Sequence, residues 1–162
     1  MRVGLGGSDF HIYKFRTMYV DADKAGLLTV GGRDPRVTTV GYYLRKYKID
    51  ELPQLLNVLR GNMSLVGPRP EVRKYVDKYT ADQRRVLSVK PGITDWASIL
   101  YRDENSILET SKNPEQDYLH VILPDKIRYN FIYINKLSVF EYLKILLYTV
   151  YSIFFPVKNI NV

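Results

Sequence analysis

Residues 33–70 read RDPRVTTVGYYLRKYKIDELPQLLNVLRGNMSLVGPRP, and the adjacent acids Asp50 and Glu51 at the middle of that stretch govern how the rest is understood. Pro53 follows closely, with Leu52, Leu55, Leu56, Val58 and Leu59 around and behind it. Proline is tolerated in a first helical turn and Asp is a favoured N-cap, so the pattern predicts a helix that begins at the acids. Carboxylates there would lie at the positive end of the helix dipole, where they stay ionised and where phosphates also bind. Arg33, Arg36, Arg45, Lys46, Lys48, Arg60 and Arg69 surround the pair in sequence, and Asp34 is the only other acid in the stretch before Pro70. Two acids in a basic shell suit a metal-bridged polyphosphate better than an uncharged substrate. By itself, an Asp-Glu pair opening a helix is usually a cap with a favourable first-turn charge, so the weight falls on the whole string.

Working outward, Thr38 or Thr39 is expected to cap a short helix with Val40, Tyr43, Leu44 and Tyr47 as its apolar stripe. Gly61 is expected to end the helix that follows the acids, and SLVGPRP to form a rigid turn that fixes Arg69 without long-range support. Upstream, Gly4, Gly6 and Gly7 mark a turn, with a strand or hairpin running through Phe10, Ile12 and KFRTM. Side chains alternate along a strand, which puts Lys14 and Arg16 on one face, available to line an anionic site. Residues 19–34, with Gly31 and Gly32 late, read as a loop.

Downstream, Pro70 suits the first turn of a helix carrying Val72, Tyr75, Val76 and Tyr79, and Thr80 with Gln83 forms a capping-box pattern. Pro91-Gly92 breaks the chain before Ile93, Trp96 and Ile99. Residues 101–114 read as a polar surface excursion, and Asn113 with Pro114 restarts a helix. A helical segment bearing Ile127, Phe131 and Ile132 follows Pro124. Ser138 and Glu141 open a last helix of Phe140, Leu143, Ile145, Leu146, Leu147, Val150, Ile153 and Phe154, with Pro156 closing it. Spanning a bilayer takes about 20 apolar residues without internal charge, and Glu141 and Lys144 interrupt this one, so it reads as interfacial or packed.

With 162 residues, 46% of them hydrophobic and 13% aromatic, the chain is expected to be a single domain over 1–162 with a real core. A net charge of +7, from 24 basic and 17 acidic residues, favours an anionic partner: a nucleotide, a phospholipid surface or a nucleic acid. No zinc finger, RNP-like signature or arginine tract is present, so no nucleic-acid partner is expected. The absence of cysteine excludes disulfides and thiolate chemistry, and His11 and His120 alone leave little material for a histidine-based site. The expected fold class is α-dominant α+β, with a small N-terminal hairpin or sheet, several short helices and an apolar C-terminal helix.

KFRTM (14–18), RDPRVTTVGYYLRK (33–46), IDELPQLLNVLRGNMSLVGPRPE (49–71) and KPGITDWA (90–97) stand in one order with short spacings. That series resembles the bacterial sugar transferases, the monotopic phosphoglycosyl transferases that begin surface polysaccharide and glycan assembly on a polyprenyl phosphate. The resemblance implies transfer of a sugar 1-phosphate from a UDP-sugar to polyprenyl (undecaprenyl) phosphate at the cytoplasmic face of the bacterial inner membrane. It implies Asp50 as nucleophile and Glu51 as its companion, both near Mg²⁺ as metal ligands. Arg45 and Arg69 would grip phosphates, with Lys14 and Arg16 in support. The family ordinarily carries a membrane-inserted helix ahead of the segment matching Arg2-Val3-Gly4, so a shorter N-terminus is expected here. Asp95 and Ser98 stand where the family usually has glycine and glutamine, a departure that bears on donor choice, and Asn62 replaces a residue more often acidic. The competing expectations are direct attack by the lipid phosphate with both acids as metal ligands, and a non-catalytic membrane-peripheral remnant.

Overall fold

In the computed structural model, residues 1–26, 28–31, 34–155 and 157 are described. Arg33 of the basic shell, Gly32 of the loop and the expected helix-closing Pro156 lie outside them. The chain opens with a hairpin in which β1 (Arg2–Val3) pairs antiparallel with β2 (Asp9–Phe10). Gly6 and Gly7, at φ 64° and 81°, supply the left-handed backbone the turn requires. The expected strand does not continue through KFRTM. Instead the Tyr13 N–H donates to Asn57 Oδ1 at 3.0 Å, and the Phe15 N–H donates to the Asp50 carbonyl at 3.0 Å. A side chain and a turn thus satisfy backbone groups that a partner strand would otherwise meet.

Thr38 caps α1 (Thr39–Lys46), its Oγ1 accepting the Gly41 N–H at 2.9 Å. The anticipated stripe does not face the core: Val40, Tyr43 and Tyr47 are exposed, and Gly41 is the buried residue of the helix. A Cβ on Gly41 would stand 2.1 Å from the Thr17 carbonyl oxygen, so only glycine lets the helix lie against that backbone.

The second helix also departs from expectation. The acids occupy a 3-10 turn, Ile49–Glu51, entered through Lys48 in the left-handed region at φ 57°. Regular α2 begins later, at Gln54–Leu59. Gln54 and Asn57 are its buried residues, while Leu52, Leu55, Leu56 and Leu59 are exposed. Asn57 explains part of this inversion: its side chain bonds Tyr13 N–H and His11 C=O, and its carbonyl accepts from Asn62 and Met63. Gly61, at φ 79°, ends the helix as expected.

The arginine turn is not locally self-sufficient. Ser64–Val66 is β3, paired parallel with β4 (Gly92–Thr94). Gly67 N–H donates to the Thr94 carbonyl and Gly92 N–H to the Pro68 carbonyl, each at 3.0 Å. A Cβ on Gly92 would stand 2.1 Å from Gly67 N, so two glycines permit this approach.

Beyond it come α3 (Arg73–Val76), which starts later than Pro70, and a 3-10 segment, Gln83–Ser88, preceded by the expected reciprocal capping of Thr80 and Gln83. α4 (Trp96–Leu100) is capped by Asp95. The polar stretch contains α5 (Glu104–Glu109), which buries Leu108 and is therefore more than a surface excursion. Asn113 caps α6 (Pro114–Asp117), and a π-helical turn, Tyr118–Ile122, leads into α7 (Leu123–Asn135). Ser138 caps α8 (Val139–Phe154), although Glu141 completes no capping box: its carboxylate takes the buried Trp96 indole N–H at 2.7 Å.

One core gathers Val3, Tyr75, Val76, Leu108 and Ile127, and a second sets Val66, Trp96, Ile99 and Tyr133 against Ile145 of α8. The architecture is the expected α-dominant α+β, with two small sheets among the described residues. Among the described residues no helix is long and apolar enough to cross a membrane.

Candidate active site

Glu51 is the hub of a charge cluster assembled from four parts of the chain. Arg69 Nη1 lies 3.0 Å from its Oε2, Arg69 Nη2 bonds its Oε1, and Lys14 Nζ approaches Oε1 at 3.1 Å. Arg69 is itself held by its backbone N–H, which donates to Asp95 Oδ2 at 3.2 Å. Burial alone would raise the Glu51 pKa, but the Arg69 guanidinium, its hydrogen bond and the charges of Lys14 and Lys48 outweigh it and hold the carboxyl well below its usual range. Reciprocally, burial opposes the Arg69 charge and Glu51 overrides it. Lys14 and Lys48 are both pushed down, first by burial and then by repulsion from Arg69.

Asp50 has a different environment. It is 6% exposed, and its Oδ1 has no hydrogen-bond partner among the described residues. Burial, then the charge of Glu51, raises its pKa, while Lys14, Lys48 and Arg45 pull the other way. A buried carboxylate oxygen without a partner is costly, and such groups recur where a ligand or a cation completes the site.

Of the other predicted residues, Arg45 lies within electrostatic reach of Asp50 but bonds Thr17 Oγ1 at 2.9 Å and Thr29 Oγ1 at 3.3 Å. Arg16 does not join the Glu51 cluster through any described ion pair; with Arg45, Thr17 and Tyr19 it borders a separate concavity of about 320 Å³. In the wider shell, Arg36 clasps Asp34 and the carbonyls of Ala22, Gly26 and Leu28, which organises the loop. Arg60 stacks on Tyr13.

Beside the charge cluster opens a cleft of about 410 Å³. Lys46, Lys48, Glu51, Arg69 and Arg102 form its charged side, and Leu52, Leu55, Ile93, Ile99, Leu146, Val150 and Ile153 its apolar wall. Asp50 is not among the bordering residues; its chain neighbour Glu51 and nearby Lys48 are. Sequence reasoning missed Arg102. Its Nη1 bonds the Ser152 carbonyl near the end of α8, fifty positions on, and no local pattern signals such a contact. Ser98, noted for its departure from the resembled pattern, borders the cleft, and its Oγ has no partner among the described residues.

The family model described as Bacterial sugar transferase matches residues 1–156. The chain belongs to the bacterial sugar transferase family. Across 125 residues it is 42% identical to a protein of Aeromonas hydrophila named UDP-N-acetylgalactosamine-undecaprenyl-phosphate N-acetylgalactosaminephosphotransferase, covering 74% of this chain and 29% of that protein. It is 40% identical to the UDP-glucose:undecaprenyl-phosphate glucose-1-phosphate transferase of Caulobacter vibrioides, covering 94% of this chain and 54% of the relative. The protein of that same name from Escherichia coli is 35% identical, with 93% of this chain and 31% of the relative covered. This bacterial sugar transferase domain thus spans between 29% and 54% of the length of these relatives.

No cluster of three or more His, Cys, Asp or Glu side chains able to hold a metal occurs among the described residues. Mg²⁺ commonly takes only one or two protein carboxylates and fills its remaining positions with water and substrate phosphate. Asp50, whose Oδ1 has no partner among the described residues, fits that requirement, whereas both oxygens of Glu51 already accept from Arg69.

Proposed function

We propose that this chain is the catalytic part of a phosphoglycosyl transferase, moving a sugar 1-phosphate from a UDP-sugar to polyprenyl phosphate. The observation that carries the reading is the cleft itself, in which a cationic cluster around Glu51 meets an apolar wall. Such a surface complements an amphiphile with an anionic head, and a polyprenyl phosphate is one. Family membership and the activities named for the relatives support the same reaction class.

In the first displacement an Asp50 carboxylate oxygen forms a bond to the sugar-bearing phosphorus. The bridging P–O bond breaks, and its electron pair leaves on UMP. Lipid phosphate then forms the new P–O bond, the Asp50–phosphorus bond breaks, and the free carboxylate returns. Arg69, Lys14 and Lys48 lower the repulsion between incoming anions and the acids, Arg102 extends positive charge along the cleft, and Arg45 adds a guanidinium within reach of Asp50. Glu51 keeps Arg69 and Lys14 in register. The Asp50 carboxylate would hold Mg²⁺, which when bound supplies Lewis-acid neutralisation of the diphosphate.

The exposed leucines of α2 and the outward residues of α8, among them Leu147 and Phe154, would rest at the headgroup level of the bacterial inner membrane on its cytoplasmic face, where UDP-sugars are found. The test is release of UMP from a panel of UDP-sugars with detergent and polyprenyl phosphate, beside Asp50→Asn. Donor labelled in the sugar phosphate and incubated without acceptor is expected to leave label on Asp50; an active preparation that carries none would favour direct attack by the lipid. UMP release from no donor, here and in a chain extended upstream, would leave a membrane-peripheral binding module.

A further inference from the structure

Gln54, the first residue of α2, is 1% exposed, and its Nε2 has no hydrogen-bond partner among the described residues. Four positions earlier the Oδ1 of Asp50 is in the same condition. Between them Leu52 and Pro53 hold right-handed helical dihedrals, at φ −54°, ψ −36° and φ −61°, ψ −15°. Residues 50 and 54 therefore stand one turn apart on one face, the spacing at which a glutamine amide and an aspartate carboxylate meet.

The two unmet groups are chemically complementary. An amide NH₂ only donates and an ionised carboxylate only accepts. The amide does not bond the Asp50 carbonyl either; that oxygen accepts the Phe15 N–H at 3.0 Å. Nor does packing explain Gln54 in this position, since the same helix turns Leu55, Leu56 and Leu59 outward. Asn57, the other buried residue of α2, has a structural task in its bonds to residues 11 and 13, whereas the donor of Gln54 has none.

We infer that Gln54 is a positioning residue for the nucleophile: the two groups do not bond one another in the resting structure, and on donor binding Nε2 turns to donate to Asp50 Oδ1 and orients the carboxylate so that the other oxygen meets the donor phosphorus. A carboxylate offers about four lone-pair sites, so this bond leaves room for a cation. The inference rests on Asp50 acting as nucleophile.

The test is UMP release by the whole chain as a function of pH, with thermal melts, for Gln54→Met, Gln54→Glu and Asp50→Asn. Methionine keeps the volume and removes the donor. Gln54→Met is expected to melt within about 3 °C of the parent. Its donor KM stays within about twofold while kcat falls about tenfold, and the acid limb moves to higher pH because a carboxylate that loses a hydrogen bond ionises less readily. In Gln54→Glu a protonated acid restores donation at low pH, and activity relative to the parent falls as the second carboxylate ionises. An unchanged kcat and acid limb in folded Gln54→Met overturns the role, and a Gln54→Glu profile parallel to the parent does so even if the methionine variant does not fold. In either case a silent Asp50→Asn leaves the nucleophile reading standing. Activity in Asp50→Asn removes that reading and this one with it.

Discussion

Arg69 grips Glu51 with both arms of its guanidinium, Nη1 at 3.0 Å from Oε2 and Nη2 bonded to Oε1, while Oδ1 of the next-door Asp50 has no partner among the described residues. Adjacent acids therefore have opposite thermodynamic consequences. One is ionised at a profit to the fold, and the other is ionised at its expense.

Asp50 has a folded-state pKa raised by burial and by Glu51. A group of that kind contributes stability below its unfolded pKa of about 3.9 and loses it as pH rises through the folded value. Asp50→Asn is accordingly expected to raise Tm at pH 7 by about 3 °C, with a smaller gain near pH 4, while UMP release disappears. A lowered Tm in calorimetry at pH 7 would contradict this assignment of strain to Asp50.

Glu51 behaves in reverse, because its folded pKa is depressed and its contribution is present above the unfolded value of about 4.3 and lost as pH falls. Glu51→Gln is expected to cost about 2 kcal/mol at pH 7, discounted from the usual buried-pair figure because Arg69 and Lys14 keep 29% and 32% of their side-chain exposure. Urea denaturation should find the deficit narrower at pH 3. A deficit that widens on acidification would show that the pair is not what holds the turn.

Gly41→Ala drives a methyl group into the Thr17 backbone, 2.1 Å from its oxygen, and Thr17 is the residue whose hydroxyl holds Arg45. A loss of about 2 kcal/mol and a raised KM for the UDP-sugar are expected. Val40→Ala on the exposed side of the same helix should change either quantity little; equal effects of the two would remove the close approach as the cause.

Leu147 and Phe154 are each 72% exposed on α8. If that face rests on a membrane, Leu147→Glu and Phe154→Glu should each weaken sedimentation with anionic vesicles by about tenfold, near the free energy of burying one large apolar side chain. Wild-type vesicle binding in the double variant would rule the face out.

Chelation with EDTA should stop UMP release and added Mg²⁺ restore it, with Tm moving by less than about 1 °C in the absence of donor, because a lone carboxylate holds the ion weakly until phosphates join it. Full turnover after exhaustive chelation would exclude the ion from the reaction.

Much of the local architecture was legible in the letters. Thr38, Ser138 and Asn113 cap the helices they precede, Thr80 and Gln83 bond reciprocally, and Gly61 ends its helix, since each depends on backbone groups only a few residues away. Glu51, Arg69 and Lys14 were named from sequence and meet in one cluster, Asp50 lies beside it without joining its bonds, and Arg16 and Arg36 were named and stand apart from it.

By itself the sequence determined the family, the turn signals and the residue types available for phosphate chemistry. Only the tertiary structure decided which way those elements face. Hydrophobic spacing marks an apolar stripe without saying what covers it, so α2 could turn its leucines outward and bury Gln54 and Asn57 once Asn57 had the backbone of residues 11–13 to bind. Long-range pairing likewise set the site: Glu51 meets Lys14 and Arg69 across 37 and 18 positions, and Arg102 meets Ser152 across 50. Electrostatic partners at such separations are chosen by how the chain closes on itself, and local propensity carries no record of that closure.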